Sequence, residues 1–254
     1  MTINSIAKNQ VNESFIRLNT MRRVNSAADD AAGLAIMEKM ESQIRGLDQG
    51  IDNTLDMKNL INTAEGGLST INDSLQRIRE LSIQAANGIY TDEDRALIQT
   101  EVNQLIQGIE SMASQTEFNN MPLLDGSFTD KNTASYPDGT GATVNIPDMR
   151  SLALGLQGYD VSSGSFDLSV IDNAMASVNA TRSYLGAMSN RADHTVNSNS
   201  ITMLNQAAAQ SRIADLDVAR GINDYNRDRI LTQAQIYMQR NQMQNAGSVL
   251  SLIA

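Results

Sequence analysis

Residues 61–81 read INTAEGGLSTINDSLQRIREL. Within this stretch Ile61, Ala64, Leu68, Ile71, Leu75 and Ile78 recur in alternating steps of three and four. Such spacing keeps apolar side chains on one stripe of a helix and marks a coiled-coil seam. Gly66-Gly67 weakens it by roughly 1 kcal/mol per glycine relative to alanine, yet the register continues beyond them. Toward the N-terminus, Ile44, Leu47, Ile51 and Leu55 share one stripe. Toward the C-terminus, Asn87-Gly88 is a stop signal. The spacing predicts one helix over about residues 44–87, roughly 65 Å long at ~1.5 Å per residue.

Further helices flank it. Thr91 with Asp94 forms a capping box. The helix it opens turns Leu97, Val102, Leu105, Ile109 and Met112 inward, making an αα-hairpin with the first. Ser169 with Asp172 opens another, carrying Ile171, Ala174, Val178, Leu185, Met188 and Ala192 at heptad-like spacing. Helical patterning then continues to about Ile253, with a break expected at Gly221. Near the N-terminus, residues 4–20 form a weakly amphipathic helix, marginal alone. Ser26 with Asp29 is a capping-box-like start for a helix beginning near Ala27.

All three prolines, Pro122, Pro137 and Pro147, fall in the middle of the chain. Proline lacks the N–H donor and clashes with the preceding helical turn, so the two ends can run as long helices and the middle cannot. Asn119-Asn120, Asp125-Gly126 and Asp138-Gly139 are turn signals there, and Thr143–Ile146 and Leu152–Leu156 resemble brief strands. The expected fold is mainly α: a long coiled-coil helical rod formed by both chain ends, with a small β-hairpin region at about 118–165.

Composition narrows the function. Aromatic residues are 4% and Trp is absent, which suits narrow helix–helix seams better than a bulky core. A net charge of −10 argues against a nucleic-acid partner, which needs a basic patch. Without Cys there are no disulfides or thiolate metal sites, as fits an extracellular bacterial protein. No run of ~18 apolar residues predicts a membrane span, and the N-terminus lacks the apolar core of a secretory signal.

Catalytic chemistry is not expected. His194 is the only histidine, which rules out an H-E-x-x-H zinc motif, and no G-x-S-x-G elbow accompanies it. Gly139-Thr140-Gly141 lacks the third glycine of a dinucleotide loop and reads as a turn. Asp29, Asp30, Glu38 and Glu41 read as a helix cap followed by a solvated face. No cofactor or metal site is assigned. The crowding of Val249, Leu250, Leu252 and Ile253 at one end, with Ile6, Phe15 and Leu18 at the other, suggests ends that order against neighbouring subunits. These last residues, with the exception of Val249, are the candidate polymerisation contacts.

Several stretches resemble bacterial flagellins. Arg17-Leu18-Asn19 through Val24-Asn25-Ser26-Ala27-Ala28-Asp29-Asp30-Ala31-Ala32-Gly33-Leu34-Ala35-Ile36 is similar to that family's N-terminal signature. Leu75-Gln76-Arg77-Ile78-Arg79-Glu80-Leu81, with Gln84, Ala86 and Asn87, resembles its first-domain motif. Thr116-Glu117-Phe118-Asn119 with Leu123-Leu124-Asp125-Gly126 resembles the entry to its β-region. Arg182-Ser183-Tyr184-Leu185-Gly186-Ala187 and Ser211-Arg212-Ile213-Ala214-Asp215 match its C-terminal half. One departure is Asn19-Thr20-Met21-Arg22, where the family usually has a Ser-Ser-Gly-type bend.

The resemblance implies a structural subunit that polymerises into the helical filament of a bacterial flagellum and serves motility. Residues 1–43 with 219–254 would form a terminal coiled coil lining the filament's inner core, and residues 44–218 the surrounding helical rod. Partners implied are further copies of the chain, the flagellar export apparatus, a C-terminal export chaperone, and the filament cap and hook-junction proteins. The implied location is secreted, in an extracellular filament. Gln76, Arg77, Leu81 and Glu101 match the patch that the vertebrate flagellin receptor binds. The alternatives are a hook–filament junction protein and, in another class, a soluble coiled-coil binding module.

Overall fold

In the computed structural model the backbone is described over residues 2–253 and the side chains over residues 8–245. The elements are α1 (Thr2–Thr20), α2 (Ala31–Ala85), α3 (Asp92–Gln115), β1 (Glu117–Phe118), β2 (Met121–Pro122), β3 (Lys131–Ala134), β4 (Gly141–Val144), α4 (Ser169–Ala214) and α5 (Val218–Ile253). The fold is mainly α, with long helices at both ends and two small antiparallel hairpins, β1–β2 and β3–β4, in the middle. The chain divides into a terminal unit, residues 1–44 with 203–254, and a middle unit, residues 45–202. The division expected from sequence runs through 43/44 and 218/219, the latter just inside the start of α5 at Val218.

The middle unit is organised by α2. Its buried positions run Leu47, Gly50, Thr54, Met57, Ile61, Ala64, Leu68, Ile71, Leu75, Ile78, Ser82 and Ala85, with the three–four alternation unbroken. Each fully buried aliphatic side chain contributes about 1.5–3 kcal/mol relative to exposure. Leu55 lies off this stripe at 42% exposed, contrary to the expected run. Six residues before Ile61, it is rotated roughly 120° away, and Thr54 takes the inward place. The Thr54 hydroxyl donates to the Gly50 carbonyl at 2.6 Å and meets Ser135 Oγ at 3.0 Å. Ser82 Oγ donates to the Ile78 carbonyl and accepts from the Tyr159 hydroxyl at 2.9 Å. Burial pushes the Tyr159 phenol pKa up.

The same core takes in α3, α4 and residues from Leu123 to Val161. On α3 the inward residue is Ile98, while Leu97 is 73% exposed. Five residues from Val102, Leu97 stands roughly 140° from that face. The α3 capping box is present, with Thr91 and Asp94 bonded reciprocally. α4 begins at Ser169, but its N-terminal N–H and hydroxyl are held by Asp167, not by an exchange with Asp172. Asp172 pairs with Arg79 at 2.8 Å.

The hairpins rest on turn chemistry. Asn119 and Asn120 adopt φ of 52° and 60°, the left-handed pair that closes a two-residue hairpin with the twist strands prefer. Residues 152–156 are not a strand. Leu154 and Leu156 N–H groups bond back to Arg150 and Ser151 carbonyls, and Gly155 takes φ 73°, so the run is a turn that buries Leu154 and Leu156 and exposes Leu152. The tip of β3–β4 is held by Asn53 Nδ2 on the Ala134 carbonyl at 2.8 Å and Asn199 Nδ2 on the Ser135 carbonyl at 2.7 Å. A Cβ at Gly50 would collide with the Ser135 carbonyl, and one at Gly67 would sit 2.6 Å from Thr116 Oγ1. The glycine that interrupts the seam at 67 is therefore a packing site.

In the terminal unit α1 packs antiparallel on α5. Leu18 faces Gly221, the Phe15 and Tyr225 ring centroids are 6.3 Å apart, and Ser14 donates to Asp228 at 2.8 Å. Gly221 is not the break expected there. It lies in the first turn of α5, where a Cβ would press on Leu216 and Leu18, and the break falls at residues 215–217. Asp217 caps α5 by accepting from the Ala219 and Arg220 N–H groups. Likewise α2 begins at Ala31, not near Ala27, because Asp30 accepts from the Gly33 N–H at 2.8 Å. Asp29 serves the preceding turn, accepting from the Asn25 and Ser26 N–H groups.

Three contacts hold the α1–α2 connection. Met21 stands at φ 54°, a left-handed conformation that is unfavourable for a side chain of this size. Its carbonyl accepts from Leu216 N–H, and Arg23 N–H donates to the Ala214 carbonyl at 2.7 Å. Arg17 Nη2 pairs with Asp29 at 2.7 Å.

Two outcomes follow from these contacts. Leu75→Asp places an unpaired carboxylate in the fully buried seam and destabilises the middle unit by several kcal/mol, while Asp73→Lys, on an exposed position, stays within about 0.5 kcal/mol. Thermal unfolding of both variants measures this, and equal losses would refute the register. The second outcome concerns acid. The Arg17 guanidinium, with N–H groups of Asn25 and Ser26, lowers the Asp29 pKa from 3.8 to about 2. The folded-state pKa is depressed, so this stabilisation is present above pH ~4 and is lost as pH falls through ~2. Asp29→Asn is expected to flatten the fall in melting temperature over that window, relative to the parent chain.

Candidate assembly and recognition surfaces

The two units cover their apolar surface unequally. The six seam residues Ile61, Ala64, Leu68, Ile71, Leu75 and Ile78 are all buried within the middle unit. Among the described residues of the terminal unit the buried cluster comprises Val24, Met37 and Ala214, with Leu34 and Ile213 packed against it. Phe15, Ile222, Ile230, Leu231, Tyr237 and Met238 are all exposed. Of the candidate polymerisation contacts, Phe15 is 54% exposed and Leu18 half-buried. Ile6, Leu250, Leu252 and Ile253 lie outside the residues whose side chains are described.

Charge is partitioned as sharply. The terminal unit carries ten Lys and Arg against nine Asp and Glu, the middle unit nine against twenty. The net negative charge therefore sits entirely on residues 45–202, and the terminal unit is near neutral. A near-neutral surface can be brought against copies of itself without the self-repulsion that a strongly charged one meets.

The candidate recognition patch is only partly brought together. Gln76, Arg77 and Glu101 are exposed, and Arg77 Nη2 lies 2.9 Å from Glu101. Glu101, then Glu80, holds the Arg77 guanidinium still more firmly protonated than usual. Leu81 does not share this surface. It is 2% exposed and belongs to the core joining α2, α3 and α4. The four-residue spacing from Arg77 placed it outward on a helix with one buried stripe. α2 is buried over a wider arc, because Leu60, Gly67 and Leu81 form a second inward column beside the seam. Glu80, which the sequence reading left out, joins the patch through a 3.2 Å contact to Arg77. The i,i+3 spacing carried that signal. His194 is exposed on α4. Among the described residues no group of three or more His, Cys, Asp or Glu is placed to hold a metal ion, and no helix is long and apolar enough to cross a membrane.

Comparison with known proteins agrees with this architecture. The profile described as "Bacterial flagellin N-terminal helical region" matches residues 1–129, and "Bacterial flagellin C-terminal helical region" matches residues 168–253. Flagellin FlaB2 of Treponema pallidum is 39% identical, over 96% of this chain and 92% of its own length. The flagellin of Bacillus subtilis is 36% identical over 99% and 96%. Among solved structures, a Vibrio parahaemolyticus protein described as hook-associated shares the fold at a TM-score of 0.57 and 21% identity, covering 74% of this chain and all of that one. Both family regions, the near-complete coverage of the relatives, and the helical ends around a short hairpin segment agree: the chain belongs to the bacterial flagellin family.

Proposed function

We propose that this chain is the structural subunit that polymerises into the filament of a bacterial flagellum and serves motility. The observation that carries this reading is the match to flagellins and flagellar filament core proteins along nearly the whole chain. The uncovered apolar side chains of α1 and α5 supply a physical reason for self-association. In a helical polymer each subunit presents complementary rather than identical patches, so that contacts repeat without closing a ring. Residues 1–43 with 219–254 form the filament's inner core in this reading, and residues 44–218 the layer around it. A hook–filament junction role is disfavoured, because the relatives at 36–40% identity are flagellins and filament core proteins. A free-standing coiled-coil module leaves the bare terminal helices unexplained.

Export through the flagellar secretion apparatus, escort by a C-terminal chaperone, contact with cap and hook-junction proteins, and an extracellular location belong to the same proposal. So does binding by the vertebrate flagellin receptor. That patch is restated as Gln76, Arg77 and Glu101 with Glu80, and without Leu81.

Deleting residues 219–254 is expected to leave the middle unit folded and to abolish filament growth after seeding with filament fragments, as seen by electron microscopy. Long filaments from the truncated chain would overturn the assignment of the inner core. In a receptor reporter assay Arg77→Ala is expected to reduce the monomer's signal several-fold. A strong parent signal that Arg77→Ala leaves intact removes this patch as the binding site. Leu81→Ala acts instead through folding, at about 2–5 kcal/mol for a buried leucine.

A further inference from the structure

Six charged side chains link α2 to α4 in three rungs. Lys58 Nζ lies 2.6 Å from Asp193, Arg182 Nε 2.8 Å from Glu65, and Arg79 Nε 2.8 Å from Asp172. On α2 the rungs stand at positions 58, 65 and 79 of one heptad column. Its remaining place is taken by Asn72, which is buried with Oδ1 unpartnered. The signs alternate: positive, negative, positive along α2, against negative, positive, negative along α4.

The apolar seams beside these rungs repeat every seven residues on both helices. α2 keeps the alternation from Leu47 to Ala85, and α4 from Ile171 through Ala174, Val178, Thr181, Leu185 and Met188 to Ala192. Two such stripes can slide past each other by one heptad and still lie face to face, so an aliphatic seam discriminates poorly between registers. The charges do not share this degeneracy. Sliding by one heptad sets Lys58 against Arg182 in the geometry Glu65 uses now. Sliding the other way sets Glu65 against Asp193 in the geometry Lys58 uses now. Two heptads set Glu65 against Asp172 in one direction and Arg79 against Arg182 in the other. Each of the four nearest slips that keep the seam aligned therefore breaks native rungs and opposes like charges, which is destabilising.

We propose that the alternating sign order of these rungs is a register lock, which selects one antiparallel pairing of α2 with α4 during folding and disfavours the slipped pairings that the seams tolerate. The pairs are half-exposed, and their value lies in the difference between registers rather than in the native state's total stability.

Exchanging the middle rung, Glu65→Arg with Arg182→Glu, tests this on the full chain. The exchange keeps three opposite-charge rungs in the native register. It makes α2 uniformly positive and α4 uniformly negative along the ladder, so all four slips become attractive. Refolding from denaturant at low salt is followed by circular dichroism. The exchanged chain is expected to melt within a few degrees of the parent. Its slowly refolding fraction is expected to rise by roughly fivefold, and to fall again near 1 M salt, where screening acts within about 3 Å. The neutral pair Glu65→Gln with Arg182→Gln is expected to fall between the two. Refolding of the exchanged chain at the parent's rate and amplitude overturns the proposal. So does an exchanged chain that fails to reach the native state while the neutral one folds, since the rungs would then depend on local surroundings and not on sign order. Failure of both chains to fold marks the rungs as native-state supports and overturns it equally.

Discussion

A helix of 55 residues with one side made of leucine, isoleucine and alanine cannot exist alone in water without leaving that side wet. The buried stripe of α2 from Leu47 to Ala85 is the constraint on which the rest of the middle unit depends. Covering it takes α3, the underside of the 123–161 segment and the first half of α4, all of which contribute to one cluster. Because α2 is covered over a wide arc, residues flanking the seam are drawn in as well, and Leu81 and Asn72 are buried beside it. Backbone hydrogen bonds are satisfied within the helix, so the outer layer is needed for apolar coverage and not to complete the ladder.

The seam also admits polar and vacant positions, and each has a partner. Gly50 leaves room for the Ser135 carbonyl, Thr54 meets the Ser135 hydroxyl, and Asn199 reaches the same residue from α4. Together they hold the β3–β4 tip between two helices through buried hydrogen bonds, which are costly to leave unmade. Farther along α2, Ser82 plays a comparable part for Tyr159. A wholly aliphatic stripe would pack as well and would say less about where the hairpin segment belongs.

The terminal unit follows another logic. It has a small buried cluster, a bend through Met21 in a left-handed conformation, and long helices whose apolar side chains face outward. With nearly equal numbers of positive and negative groups, it also lacks the acidity of the middle unit. Those are the properties of a surface that copies of one chain can share. The acidic middle unit buries its own seam and has less to gain from further apolar burial.

Periodicity, proline placement and turn dipeptides by themselves determined that the chain is helical at both ends and that its middle holds short hairpins. The same periodicity identified the six central seam residues, while the family was legible only in the resemblance of particular motifs, such as residues 24–36 and 75–81. These features are local: a three–four repeat, a capping box or an Asn-Asn turn is decided within a few residues by backbone geometry. The inward places of Gly50, Thr54 and Ile98 and the outward ones of Leu55 and Leu97 were decided only by the tertiary structure. So were the turn at 152–156, the packing role of Gly221 and the burial of Leu81. In each case the deciding contact comes from another segment or from a neighbouring turn. Hydrophobicity along one strand of sequence reports which residues prefer burial, but which face is covered, and how widely, depends on how many neighbours the fold sets around the helix.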